Sequence, residues 1–213
     1  MSAHLTIFGA TSGIGKIAME TALAKGHRVR AFARSADDLA ARDGLETMAG
    51  DALDPADVGT ALEGTDAVIY ALGIKESVSM LWTPVTLFSD STRLLLDCMA
   101  ERGPRRLVAV TGFGAGRSRK AMSAVERAGH WALLGRPYAD KDRQEELIRN
   151  TAIDWTIVRP VILTNGGASG RYRVLREASE WRNGLISRTD VADYLVEAAT
   201  SDLDIRRDVV LAR

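Results

Sequence analysis

Apolar and polar positions along this chain switch between a period of two and a period near 3.6. Leu5-Thr6-Ile7-Phe8 reads as a short buried strand, and Lys16 to Ala24 continues as an apolar-periodic helix. Arg28-Val29-Arg30-Ala31-Phe32-Ala33 alternates as a second strand, and Leu45 to Ala49 forms a short third. Asp54 caps a helix that opens at Pro55. Ala67-Val68-Ile69-Tyr70-Ala71-Leu72-Gly73 is continuously apolar, the pattern of a strand buried on both faces. Between Thr83 and Arg102, the positions Val85, Leu87, Phe88, Leu94, Leu95, Cys98 and Met99 give one apolar helical face, stopped by Gly103-Pro104. Arg106 to Thr111 is a fifth strand. Two helices are expected next, one within Ser118 to Leu134 and one over Tyr138 to Asn150, and a sixth strand over Asp154 to Val158 follows them. Asn165 to Gly170 reads as a loop. Ser187 caps a helix running to Thr200, and Asp208 to Ala212 is a last strand.

Strands separated by helical crossovers predict an α/β fold, a three-layer doubly wound parallel sheet of strand order 3-2-1-4-5-6-7. No repeat or low-complexity linker interrupts it. One domain over residues 1–213 is therefore expected, with a small substrate-side region at about 161–186.

The junction of the first strand and first helix carries the candidate chemistry. Gly9-Ala10-Thr11-Ser12-Gly13-Ile14-Gly15 is a glycine-rich turn from strand to helix, a phosphate-binding device. Gly9 permits the tight turn, Gly13 lets a pyrophosphate approach the backbone, and Gly15 lets the helix pack on the sheet. The helix N-terminus offers free N–H groups and its positive dipole end. Such a site usually places an acid after the second strand to hold a ribose hydroxyl; this chain places Arg34 there. A guanidinium suits a 2′-phosphate, which points to NADP, the alternative being an exposed arginine at a strand end. Asp51 is placed to accept from an adenine amine or to serve as a loop acid. Gly112 to Gly116 is a second glycine-rich stretch at a strand's carboxyl end, either a ligand loop or a flexible connection.

Composition narrows the partners. Acids and bases number 28 each in 213 residues, so no nucleic acid is expected. No apolar stretch has the length of a membrane span. Cys98 is the single cysteine, which agrees with a cytoplasmic protein. His4, His27 and His130 show no metal spacing with it, so no metal site is expected.

Taken together, the first glycine loop, Lys141-Asp142-Arg143-Gln144-Glu145-Glu146 and Asp154-Trp155-Thr156-Ile157-Val158-Arg159-Pro160 resemble the atypical, NAD(P)H-binding branch of the short-chain dehydrogenase/reductase superfamily. That branch includes proteins similar to biliverdin/flavin reductases and NmrA-like regulators. The resemblance implies that Thr11, Ser12, Gly13 and Ile14 hold the pyrophosphate and Arg34 the 2′-phosphate. It implies that Asp51 and Ala52 flank the adenine and that Ala71, Leu72 and Gly73 line the adenosine. Thr111 would face the nicotinamide ribose. Pro160, Val161 and Ile162 would cover the nicotinamide, with backbone groups free for its carboxamide.

The superfamily's catalytic tyrosine stands one helical turn before its lysine. Here Pro137 has that spacing from Lys141, and Tyr138 is one position closer. Two mechanisms stay open. In one, Tyr138 donates a proton, Thr111 orients the acceptor, and Lys141 binds the ribose and tunes the phenol. In the other, the chain positions NADPH beside a flat acceptor such as a flavin, with Phe113, Trp82 and Trp131 walling the pocket and solvent supplying the proton. The expectation is an NADPH-dependent oxidoreductase acting on a small planar or carbonyl molecule, as monomer or homodimer. The alternative is an NADP-sensing regulator that does no chemistry.

Overall fold

The computed structural model describes residues 2–73 and 86–213, with the side chains of Arg102 and of residues 128–134 outside the description. Six parallel strands, β1 (His4–Phe8), β2 (Arg28–Phe32), β3 (Leu45–Met48), β4 (Ala67–Tyr70), β5 (Arg106–Val110) and β6 (Asp154–Pro160), are followed in the sheet by a parallel β10 (Arg207–Ala212). The first seven strands of the sheet stand in the order β3-β2-β1-β4-β5-β6-β10, the anticipated doubly wound order with β10 as the seventh. An eighth strand, β8 (Arg173–Leu175), pairs antiparallel to β10, covering an edge that would otherwise stand open. Beyond the sheet, β7 (Ile162–Thr164) and β9 (Leu185–Ser187) form a two-stranded parallel pair. The pattern of residues 161–186 did not predict these three short strands.

The alternation along each strand sorts the core into two layers. Leu5 and Ile7 join Val108, Val158 and Val209 on one face, under Met19 of α1 (Gly13–Ala24) and Leu195 of α5 (Arg188–Ala199). Phe8 joins Phe32, Tyr70, Leu107 and Ile157 on the other face. There it packs under Leu62 of α2 (Pro55–Leu62), Leu95 of α3 (Leu87–Arg102) and Ile148 of α4 (Ala124–Arg149). The start expected for α3, residues 83–85, lies outside the described residues.

One expectation fails along α4. Two helices were expected on either side of Pro137, and a single 26-residue helix runs through it. Proline removes one intrahelical bond and crowds the preceding turn. Both flanks are held independently of that bond. Ser123 and Glu126 form a capping box at the start. At the other end, Asp140 accepts from the Phe88 and Ser89 N–H groups at 2.8 and 3.3 Å, and so caps α3 from a different helix. The consequence is positional: Tyr138, Lys141 and Glu145 belong to one continuous helix whose polar groups reach the carboxyl end of β5.

Candidate functional site

The nucleotide loop is built from backbone packed on backbone. A Cβ on Gly9, whose φ is +82°, would lie 2.6 Å from the Ala71 carbonyl oxygen. A Cβ on Gly15 would lie 2.3 Å from the Gly9 oxygen. The loops after β1 and β4 and the first turn of α1 therefore meet without side chains between them, where strand order reverses about β1. Gly13 differs: its φ is +55° and a Cβ there would meet nothing within 4 Å among the described residues. Ser12 is the N-cap residue, yet its side chain makes no cap bond. The first bond back into the turn is Lys16 N–H to the Ser12 oxygen at 3.1 Å. The N–H groups of Gly13, Ile14 and Gly15 thus have no partner among the described residues. A helix end with open donors and open space before it is an anion cradle.

Residues from three further strand ends surround that cradle. Ser35 donates to the Thr11 hydroxyl at 3.2 Å, tying the loop to the turn that carries Arg34. Arg34 is exposed and has no ion pair among the described residues. Asp51 uses one carboxylate oxygen to receive the Leu53 N–H at 3.0 Å, and the Ala52 side chain is buried beside it. Ala71 and Leu72 are half-buried, and Gly73 is exposed, with no described atom within 4 Å of where a Cβ would lie.

On the far side of β1, α4 delivers its polar face to the end of β5. Lys141 donates from Nζ to the Thr111 carbonyl at 3.1 Å and stands 4.2 Å from the centre of the Phe88 ring. Burial lowers its pKa to about 8, against the opposing pull of Glu145 and Asp140. The Tyr138 hydroxyl lies so close to Gly112 that a Cβ there would be 2.5 Å from it. Thr111, Tyr138 and Lys141 are therefore brought together although Tyr138 lacks the usual spacing.

Beneath them lies a group of buried charges that the sequence reading missed. Thr111 donates its hydroxyl proton to Glu145 Oε1 at 2.8 Å. Arg159 donates to both Glu145 oxygens, from Nε at 2.8 Å and from Nη2 at 2.7 Å, and both residues are fully buried. Arg149 reaches Glu145 at 2.7 Å and Asp208 at 3.3 Å, and Arg159 reaches Asp208 at 2.8 Å. These arginines hold the Asp208 carboxyl below the ordinary aspartate range, despite its burial. The Trp181 ring closes the group, its centre 4.9 Å from the Arg159 guanidinium. Signals for the cluster existed: Arg159 ends an apolar strand and Asp208 opens another, and a buried charge needs a partner.

Three expectations change. The second glycine stretch packs against protein, since its glycines admit α4. Gly112 makes room for Tyr138, and Gly116 sits where any Cβ would overlap Glu145 Oε2. Phe113 is 6% exposed and belongs to the core with Met122 and Trp181. The Val161 and Ile162 N–H groups are not free for a carboxamide, because they donate to Leu211 and Gly184 oxygens at 3.1 and 3.2 Å. Pro160 and Val161 are buried at the end of β6, and Ile162 is exposed. Trp82 and the Trp131 side chain lie outside the described residues. Among the described residues, no group of histidine, cysteine and acidic side chains forms a metal site, and no helix is long and apolar enough to cross a membrane.

A family model described as NAD(P)H-binding matches residues 9–202. The chain belongs to this NAD(P)H-binding family. The family fits the open donors at the start of α1. Among solved structures, the anaerobilin reductase of Escherichia coli O157:H7 is 25% identical, with a TM-score of 0.80 over 98% of this chain and 96% of that one. A short-chain dehydrogenase/reductase of Veillonella parvula, solved in complex with NADP, shares the fold at 16% identity, with a TM-score of 0.82 over 100% and 95% of the two chains. Among curated proteins, sterol demethylase protein B of Methylococcus capsulatus is 29% identical over 170 residues, 74% of this chain and 50% of that protein. This family member thus spans half the length of that relative.

Proposed function

We propose that this family member is an NADPH-dependent reductase that delivers a hydride to a small planar or carbonyl acceptor. The observation that carries the reading is the coincidence of two constructions at the carboxyl end of one sheet. The open donors of α1 stand at the end of β1, and Thr111, Tyr138 and Lys141 stand together at the end of β5. A dinucleotide is long enough to use both. In this reading the N–H groups of Gly13, Ile14 and Gly15 hold the pyrophosphate, Arg34 pairs with the 2′-phosphate, and Asp51 and Ala52 flank the adenine. The cofactor, when bound, supplies the hydride. Lys141 carries the ammonium that binds the ribose, and Tyr138 is the side-chain donor placed to pass a proton to the acceptor. The likeness to an anaerobilin reductase supports a planar conjugated acceptor.

The test is consumption of the reduced-nicotinamide absorbance band by purified protein. It is run with NADPH and NADH against flavins, quinones, aldehydes and anaerobilin. Turnover with at least one class, faster with NADPH, is expected. Tight NADPH binding with no turnover on any class overturns the reductase reading in favour of an NADP-sensing regulator.

A further inference from the structure

We propose that Glu145 is a positioning residue that sets the hydrogen-bond polarity of Thr111. By taking the single proton of that hydroxyl, it makes Thr111 an acceptor for an O–H of the bound nucleotide and not a donor to a carbonyl. The inference rests on the nucleotide site proposed above and assigns the division of labour within it.

The geometry leaves Thr111 no choice. An ion-paired carboxylate has no proton to give, so the 2.8 Å contact is a donation from Thr111 Oγ1 to Glu145 Oε1. Glu145 cannot turn away from it. Its Oε1 also receives Arg159 Nε, and its Oε2 receives Arg159 Nη2 and Arg149 Nη2, so four donors occupy its lone pairs. Arg159 is anchored in turn by Asp208, and Gly116 lies against Oε2. The Thr111 backbone is equally fixed, its N–H on the Val158 oxygen at 2.9 Å and its carbonyl under Lys141. Turning the hydroxyl proton toward a ligand would leave a buried carboxylate short of a donor in a low-dielectric interior.

What remains on Thr111 Oγ1 is acceptor capacity, which matches a ribose hydroxyl. Donation to an acceptor's oxygen then falls to Tyr138 and Lys141, which carry the donors. Lys141 and Glu145 are one turn apart on α4, so one helix face orients both halves of the arrangement.

The experiment titrates NADPH into wild type, Thr111→Ser, Thr111→Val, Glu145→Gln and the Thr111→Val/Glu145→Gln double variant. Nicotinamide fluorescence gives the affinity and a thermal melt gives the folded state. Thr111→Ser is expected within twofold of wild type, and Thr111→Val and Glu145→Gln each about tenfold weaker. The double variant is expected within twofold of Thr111→Val, because both changes act through the same contact. Losses that multiply to about a hundredfold overturn the inference, since Glu145 then acts independently of Thr111. Unchanged affinity in Thr111→Val, which leaves every ion pair in place, also overturns it. If Glu145→Gln does not fold, Glu145→Asp replaces it in the same cycle, keeping the charge while withdrawing it from Thr111. Absence of NADPH binding by wild type overturns the function proposed above; binding by wild type with an unaffected Thr111→Val overturns this inference alone.

Discussion

The two ends of the candidate site are built by opposite means. At the end of β1, function depends on what is missing: Gly9 and Gly15 let three stretches of backbone touch, and Gly13 leaves space before an uncapped helix. At the end of β5, it depends on what is buried: Glu145, Arg159 and Asp208 lie beneath Thr111 and Lys141. The first end is made mostly by residues 9–15, closed by the loop after β4 at Ala71. The second draws on β5, α4, β6 and β10. Backbone packed on backbone at Gly9 and Gly15 tolerates no added atoms, and a charge cluster tolerates no removed partner.

Substitutions on each side sharpen that contrast. The largest loss is expected for Arg159→Met, which leaves Glu145 and Asp208 buried with only Arg149 and the exposed Arg117 between them. Breaking such a pair costs about 4 kcal/mol, measured as a fall in the urea midpoint. Gly15→Ala follows at about 3 kcal/mol, because its methyl meets the Gly9 oxygen and backbone cannot step aside. Gly13→Ala, with open space but a positive φ, is expected to lose only about 1 kcal/mol. A Gly15→Ala protein as stable as Gly13→Ala would break the backbone-packing account.

Arg34→Glu tests ligand choice without touching either construction. NADPH affinity is expected to fall at least about tenfold, or roughly 1.4 kcal/mol, with NADH affinity nearly unchanged and no shift in the thermal melt. Equal losses for both cofactors would remove the case for the 2′-phosphate.

The smallest expected effect is a pH dependence. Burial lowers the Lys141 pKa to about 8, from the 10.5 of an ordinary lysine. As pH rises through about 8 the folded protein loses that ammonium, so NADPH affinity should decline several-fold above it and stay level below it. Lys141→Arg should bind with no such decline. The sign for stability is opposite: between about 8 and 10.5 the unfolded chain holds a proton that the folded chain has released, so the Lys141 contribution to stability rises with pH. A wild-type affinity that stays level across that range would show that the ammonium does not hold the ligand.

Much of this was legible in the residues because its causes are local. Strand alternation at Leu5 to Phe8, the glycine spacing from Gly9 to Gly15 and the Asp54 cap before Pro55 are statements about neighbouring residues. Pro137 misled for the same reason. Locally it ends a helix, and only the capping box at Ser123 and the polar packing at Asp140 carry α4 through it. Gly112 and Gly116 read as a ligand loop or a connection, and in the fold they admit α4, because a glycine serves close approach to protein and to ligand alike. Phe113 sits beside site residues in sequence but packs into the core.

By itself the sequence determined the alternation of strands and helices and the glycine turn at the start of α1, since these follow from periodicity and from short-range backbone geometry; the family it offered as a resemblance in its motifs. Only the tertiary structure decided which way the Thr111 proton points and why Lys141 sheds its own near pH 8. Those properties depend on desolvation and on charges brought together from residues 111 to 208, and a buried charge takes its meaning from partners that the linear chain keeps far away.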